Sequence, residues 1–369
     1  MRVLWITDRY PPGKGGMAVS CARQVRGLRR RGVGVDVLVL GAGNVFEASV
    51  EERDGGADVL VPVETEPAMA SNHAWILVQG RGRYDHVVGF GASTGGFHAV
   101  TFAAWLGVGS TVLVRGNDLD RDWFWPQKGG MVREAFARAT SIGAVTLEKV
   151  ARIRALYPAA RVEWTPNSVD ARRWELLPGD EARRDEVRGL LGAGERVRVI
   201  GLFGELKAKK RIPFWLEAVR DLGLMERIRL LVVGTLDAAT AAILDDPAIA
   251  PRSLRLPFCA PDELAGLYAA ADFVAIPSMF EGMPNVLLEA MACGVIPIVS
   301  DAGAMRELIV DGETGFLFAS EDRAAAGAAT LRALEHGDLR GMSERVRMYV
   351  TTKFSLDREL DALWQLMER

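Results

Sequence analysis

Two open, doubly wound α/β halves, each built on a mainly parallel sheet, are what this sequence predicts, and three observations carry the prediction. Short runs rich in Val, Ile, Leu and Thr alternate with helical patterns as far as residue 165. The rhythm lapses over residues 171–195, a charged stretch containing Pro and Gly, and then resumes to residue 318. At 369 residues the chain also exceeds what one core usually holds. Such alternation calls for parallel strands joined by crossover helices.

In the first half the strand-like runs are 3–7, 35–40, 86–90, 111–115, 142–146 and 161–165, with helical patterns at 17–31 and 132–140. In the second half they are 197–203, 228–233, 254–257, 273–276, 296–300 and 316–318. The domains are accordingly read as 1–172 and 173–351. At the C-terminus, Leu356, Leu360, Leu363 and Met367 recur at three- and four-residue spacing with Trp364 beside them, the stripe of an amphipathic helix.

Composition excludes several classes. Apolar residues at 49% and charged residues at 25% describe an ordinary globular protein, and a net charge of −3 attracts neither nucleic acid nor anionic lipid as a whole. Cys21, Cys259 and Cys293 lie far apart, with neither metal-ligand nor disulfide spacing, which suits a reducing compartment. No uncharged apolar run reaches membrane-spanning length, and the first residues read as a strand rather than a signal peptide. The expected location is the cytoplasm.

The densest chemical signal is Phe280-Glu281-Gly282-Met283-Pro284-Asn285-Val286-Leu287-Leu288-Glu289, which leads into Ala290-Met291-Ala292-Cys293-Gly294. Residues 283–293 read as a helix, with Pro284 suited to its first turn. Glu281 then stands just before the helix and Glu289 inside it. Between them lie the backbone N–H groups of a helix N-terminus, which favour an anion. A diphosphate there would have a hydroxyl-accepting carboxylate on each side, the layout of a sugar nucleotide.

With these residues in view, the chain resembles the two-domain GT-B glycosyltransferases of the retaining, glycogen-synthase-like group, family 4. Glu281 and Glu289 match that family's E-x7-E motif. Pro297, Gly303, Glu307 and Asp311-Gly312-Glu313-Thr314-Gly315-Phe316-Leu317 match the pattern that follows it. Pro11-Pro12-Gly13-Lys14-Gly15-Gly16 resembles the N-terminal glycine loop, Pro166-Asn167-Ser168-Val169-Asp170 the domain junction, and Phe203-Gly204-Glu205-Leu206 through Lys210 a donor-binding loop. The resemblance implies two Rossmann-like domains facing a cleft. The first is acceptor-binding and is joined by a C-terminal helix (352–369) that crosses back to it; the second binds a nucleotide-diphosphate sugar. It implies donor-binding roles for Gly15, Gly16, Gly204, Glu205, Lys210, Gly282, Met283, Pro284, Asn285, Val286 and Glu289. It implies catalytic roles for Glu281, Lys210, Asp118 and Arg115, with no cofactor and no obligatory metal.

Two departures accompany the match. Glu205 holds the usual arginine position, leaving Lys207, Lys209, Lys210 and Arg211 to neutralise a diphosphate. In Leu113-Val114-Arg115-Gly116-Asn117-Asp118, Arg115 stands where the family most often has histidine, and Phe90 replaces another. The four histidines, His73, His86, His98 and His336, read as structural. Gly89–Gly95 lacks dinucleotide-fingerprint spacing, residues 13–15 lack a Walker A pattern, and Asp118–Asp122 is no EF-hand. The acceptor, whether saccharide, lipid-linked or small molecule, is not legible. The arginine-rich helix 17–31 leaves open a transient peripheral contact with an anionic inner-membrane face. A sugar-nucleotide epimerase or hydrolase, and a non-catalytic sugar-nucleotide binder, stand as alternatives.

Overall fold

The structure, a computed structural model, describes every residue except 14, 43–46, 63–66, 80, 195 and 369, and no side chain at 42, 67–70, 72 or 73. The chain divides into two compact units, Met1–Asn167 with Leu356–Arg369, and Ser168–Ser355.

The first unit is built on β1 (Arg2–Thr7), β2 (Gly34–Ala42), β3 (Ser49–Arg53), β4 (Gly56–Pro62), β5 (His86–Phe90), β6 (Gly109–Val114), β7 (Ser141–Ala144) and β8 (Val162–Trp164). These form a sheet of order β3-β4-β2-β1-β5-β6-β7-β8, parallel throughout except for β3 against β4. Val3, Leu4, Trp5 and Ile6 of β1 are fully buried, as expected of a central strand covered by helices on both faces. The β3–β4 hairpin goes beyond the sequence reading. Its strand β3 is an exposed, charged edge, and the turn signal is Asp54-Gly55, with Gly55 at φ 77°.

Helix Gly16–Arg30 carries the chain from β1 to β2, and helix Thr94–Leu106 carries it from β5 to β6 on the other side. Strand order therefore reverses between β1 and β5, and the carboxyl ends of those strands frame a crevice.

The C-terminal helix Leu356–Met367 belongs to this unit. Leu356, Leu360, Leu363, Leu366 and Met367 join Val3, Trp5, Val25, Leu28 and Val35 in one core. Each fully buried leucine contributes about 1.5–3 kcal/mol relative to exposure. Gly27 admits the helix closely: a Cβ there would lie 2.7 Å from Leu360 Cδ1. The apolar stripe in the sequence is thus the packed face, but buried Glu359 lies within it.

The second unit holds β9 (Arg198–Leu206), β10 (Ile228–Leu236), β11 (Ser253–Leu256), β12 (Phe273–Ile276), β13 (Ile296–Ser300) and β14 (Phe316–Phe318), in the order β11-β10-β9-β12-β13-β14. All its pairings are parallel. Order reverses between β9 and β12, whose carboxyl ends are Gly204-Glu205-Leu206 and Ile276 with Pro277-Ser278 beyond. The helix after β12 is Asn285–Ala292, shorter than the expected 283–293. Pro284, with φ −74° and ψ 127°, is its N-cap and not part of its first turn.

Candidate active site

At the reversal point of the second unit the two loops converge on Glu281. Its Oε1 accepts from Lys210 Nζ at 2.5 Å and from Ser278 Oγ at 3.1 Å, and Lys209 Nζ lies 3.6 Å from Oε2. Lys210 and Glu281 side chains are 16% and 10% exposed, sheltered enough for the pair to resist screening by salt. Lys209 comes from the loop after β9 and is tied to the other loop at two further points: its carbonyl accepts from Met279 N, and its ammonium lies 5.6 Å from the Phe280 ring.

Glycine makes this convergence sterically feasible. A Cβ at Gly303, at φ 57°, would lie 1.9 Å from Glu281 O. Gly204, at φ 102°, brings backbone to the N-terminus of helix Asn285–Ala292, and a Cβ there would be 3.8 Å from Val286 Cγ2. Pro284 offers that terminus no side-chain cap of its own, and its first turn carries no acid, so its dipole favours an anion.

Inside the helix Glu289 is half-buried, and the Tyr268 hydroxyl donates to its Oε2 at 3.0 Å. Tyr268 is fully buried against Trp174 and Phe203; burial and the Glu289 carboxylate raise its hydroxyl well above the usual tyrosine value, so it remains a donor. Sequence reasoning missed Tyr268 and the pairing of Lys209 with Glu281, and it noted Pro277-Ser278 only as fitting the family pattern after the strand, without the Ser278–Glu281 bond. The motif-like proximity of Ser278 to Glu281 was the available signal for that bond. Glu205 turns to Lys207 at 2.5 Å, and the Arg211 guanidinium bonds Ser320 O and lies over Phe214. Lys209 and Lys210 are therefore the cations gathered at Glu281.

In the first unit, helix Gly16–Arg30 starts behind Gly15, at φ 113°, without a side-chain cap or an acid in its first turn. Lys14 of this loop is outside the described residues. Gly91 and Gly116 face Met17: a Cβ at either would lie within 3.8 Å of its side chain. Asp118 is buried and organises these loops, accepting from Ala92 N at 2.7 Å, Gly116 N at 3.0 Å and Arg115 N at 3.1 Å.

Arg115, expected from the resemblance to occupy a ligand-facing histidine position, points into the protein. Its side chain is 2% exposed, donates to Thr165 O at 2.7 Å and lies 3.7 Å from Glu359 Oε1. It also stacks 5.6 Å from Phe90, so the residues at both histidine positions pack against each other. Burial draws the Arg115 guanidinium down to about 10, with the Glu359 carboxylate opposing the shift. The reason for this orientation is the buried Glu359, which also accepts from Gln24 Nε2 at 2.6 Å and Arg23 Nε at 3.2 Å.

The three histidines whose side chains are described serve the fold. His86 pairs with Thr111, His98 bridges Ser71 and Thr94 O, His336 accepts from Asp338 N, and the His73 side chain is outside the described residues. Among the described residues no group of three or more His, Cys, Asp or Glu side chains is arranged to hold a metal, and no helix is long and apolar enough to cross a membrane.

Residues 197–336 match the family of glycosyl transferases group 1. D-inositol 3-phosphate glycosyltransferase of Rhodococcus opacus is 33% identical over 167 residues, 42% of this chain and 36% of that protein. The enzyme of the same name from Corynebacterium jeikeium is 29% identical over 214 residues, 55% of this chain and 50% of that protein. The chain thus spans half or less of the length of these curated relatives. Sucrose-phosphate synthase from Thermosynechococcus elongatus superposes with TM-score 0.81 at 16% identity, over 99% of this chain and 98% of that one. Anabaena HepE in complex with UDP and glucose superposes with TM-score 0.77 at 16% identity, over 99% and 98%. These likenesses establish the GT-B fold.

Proposed function

We propose that this chain, whose residues 197–336 belong to the group 1 glycosyltransferases, moves a sugar from a nucleotide-diphosphate donor to a hydroxyl acceptor with retention of anomeric configuration. The observation that carries the reading is the Glu281 carboxylate held by Lys210, Lys209 and Ser278 just before the N-terminus of helix Asn285–Ala292, with Glu289 inside that helix.

In this reading the donor diphosphate lies against Lys210, Lys209 and the backbone N–H groups of Gly282, Met283, Asn285 and Val286, with Pro284 shaping the turn between them, where developing negative charge on the leaving group is stabilised. Binding replaces part of the Lys210–Glu281 pairing with phosphate contacts and frees Glu281 for donor-sugar hydroxyls. Glu289, oriented by Tyr268, accepts from both ribose hydroxyls. The acceptor hydroxyl oxygen bonds to the anomeric carbon as the carbon–diphosphate bond breaks. Its proton passes on the same face to the departing diphosphate oxygen, so Glu281 is not a covalent nucleophile. Gly15 and Gly16 allow close backbone approach to a ligand. Glu205 contributes to donor binding only indirectly, its charge being met by Lys207. Asp118 and Arg115 act by holding the loops of the first unit.

Helix Gly16–Arg30 has no membrane role in this reading. Arg23 pairs with Glu359, Arg29 with Asp58 and Arg31 with Asp357 and Asp361, while Arg26 and Arg30 also have partners. The acceptor is taken as water-borne, and the free cysteines suit a cytoplasmic setting.

The test is to incubate purified protein with UDP-glucose, ADP-glucose or GDP-mannose and an acceptor panel of D-inositol 3-phosphate, D-glucose, D-glucose 6-phosphate and a lipid-linked monosaccharide. Mass spectrometry should find a new glycoside, with retained configuration by NMR. Donor turnover that is indifferent to every acceptor would overturn the transferase reading.

A further inference from the structure

At the reversal point of the first unit a carboxylate stands apart from the fold's own pairings. Asp8 directly follows Thr7, the last residue of β1, at the carboxyl end that faces β5. Thr7 Oγ1 accepts from Arg9 N at 2.9 Å, which bends the chain just here. The Asp8 side chain is 28% exposed, and its ion-pair partner among the described residues is adjacent Arg9 at 3.7 Å, a contact too long to be a hydrogen bond.

Neighbouring charges at this edge are committed elsewhere. Asp118 is occupied by three backbone N–H groups, and Asp122 by Ser93, Arg121 and Lys128. Asp120 holds Lys149 and Arg152, and Arg115 is turned inward to Glu359. Gly91 and Gly116, in the loops after the neighbouring strands, lie close to Met17: a Cβ at either would be within 3.8 Å of its side chain. Burial disfavours the charged form of a carboxylate, so a partly buried one is costly to the fold unless donors meet it. Burial pushes the Asp8 carboxyl up, outweighing the pull of Arg9, of Lys128 and of a backbone hydrogen bond within Asp8 itself.

We propose that Asp8 is an acceptor-binding residue, its carboxylate accepting a hydrogen bond from a hydroxyl of the incoming acceptor. The inference rests on the transferase reading above and deepens it by naming a recognising group in the first unit. The acceptor it fits is an uncharged polyol face, because an anionic group would meet repulsion at this carboxylate.

The experiment compares wild type with Asp8→Asn and Asp8→Ala. For each, kcat/KM is measured toward whichever of D-inositol 3-phosphate, D-glucose, D-glucose 6-phosphate or lipid-linked monosaccharide gives product. Donor hydrolysis without acceptor and UDP affinity are measured alongside. Asp8→Ala should lose about 10- to 100-fold in kcat/KM for acceptor, the range for one hydrogen bond to a charged group. Asp8→Asn, which retains a carbonyl acceptor, should lose less. Donor hydrolysis and UDP affinity should stay within about twofold of wild type in both. The near-isosteric Asp8→Asn guards against misfolding, checked by its thermal midpoint. Wild-type transfer with unchanged acceptor kcat/KM in both variants overturns the role of Asp8 alone. Equal losses in transfer, hydrolysis and UDP affinity also overturn it. Absence of wild-type transfer overturns the transferase reading and this inference together.

Discussion

Lys210 Nζ and Glu281 Oε1 stand 2.5 Å apart, an ion pair made by the loops after two adjacent strands, β9 and β12. A ligand diphosphate at this point competes with Glu281 for the ammonium, so the two residues should separate in kinetics. Glu281→Gln should depress turnover far more than nucleoside-diphosphate affinity, because Glu281 addresses the sugar. Lys210→Ala should weaken both, by about 1.5–3 kcal/mol in affinity, since the diphosphate is present in ground and transition states. Calorimetry with UDP beside steady-state rates decides this, and parallel losses in Glu281→Gln would show that the two roles are wrongly divided.

Glu289 should matter to the nucleotide. Glu289→Ala removes a half-buried acceptor and should weaken nucleoside-diphosphate binding by about 1.5–3 kcal/mol. Tyr268→Phe keeps the ring packed against Trp174 and Phe203 and removes only the hydroxyl that orients Glu289. Its effect should be smaller, about 0.5–1.5 kcal/mol, and should vanish in the Glu289→Ala background. Additive losses in the double variant would separate Tyr268 from Glu289.

The strands and the Glu281–Glu289 constellation were legible because both are local patterns. Apolar periodicity marks a strand wherever it packs, and a helix N-terminus between two carboxylates is written within ten residues. What escaped depends on distant partners. The stripe Leu356, Leu360, Leu363 and Met367 correctly marks a packed helix, yet the place of Glu359 follows from Gln24 and Arg23, over three hundred positions away. Arg115 could not be oriented until that carboxylate was located. Tyr268 reads as one more apolar helical position, since its hydroxyl is meaningful only beside Glu289. The β3–β4 hairpin was obscured by the charged, exposed face of β3.

Acid should unfold the first unit partly through Asp36. This residue is 1% exposed and accepts from Tyr84 OH at 2.8 Å, Arg2 Nη2 at 2.8 Å and Ala57 N at 2.9 Å. Burial alone would raise its carboxyl, but the Tyr84 and Arg2 hydrogen bonds outweigh burial and hold it below 3.8. A depressed native value means the unfolded chain binds the proton first. The stabilisation is therefore full above 3.8 and is lost as pH falls through the lower native value. Asp36→Asn should be less stable at neutral pH and lose less further stability on acidification. Urea unfolding at a series of pH values checks this, and identical acid slopes for variant and wild type would discount Asp36.

The buried Glu359–Arg115 contact sets a different stability test. Glu359 is 2% exposed and lies among the leucines that fasten the C-terminal helix to the first unit. Glu359→Ala leaves the Arg115 guanidinium buried and uncompensated, which should cost about 3–5 kcal/mol. The net value of the pair is a separate quantity, because desolvation opposes its attraction. Replacing both members with apolar side chains, as in Glu359→Leu with Arg115→Met, should therefore recover much of that loss. Glu359→Gln keeps hydrogen-bonding capacity toward Gln24 and Arg115 and should fall between. Chemical denaturation of the three variants gives the order directly. If Glu359→Ala matches wild type, Arg115 is not held by this carboxylate, and its inward orientation needs another cause.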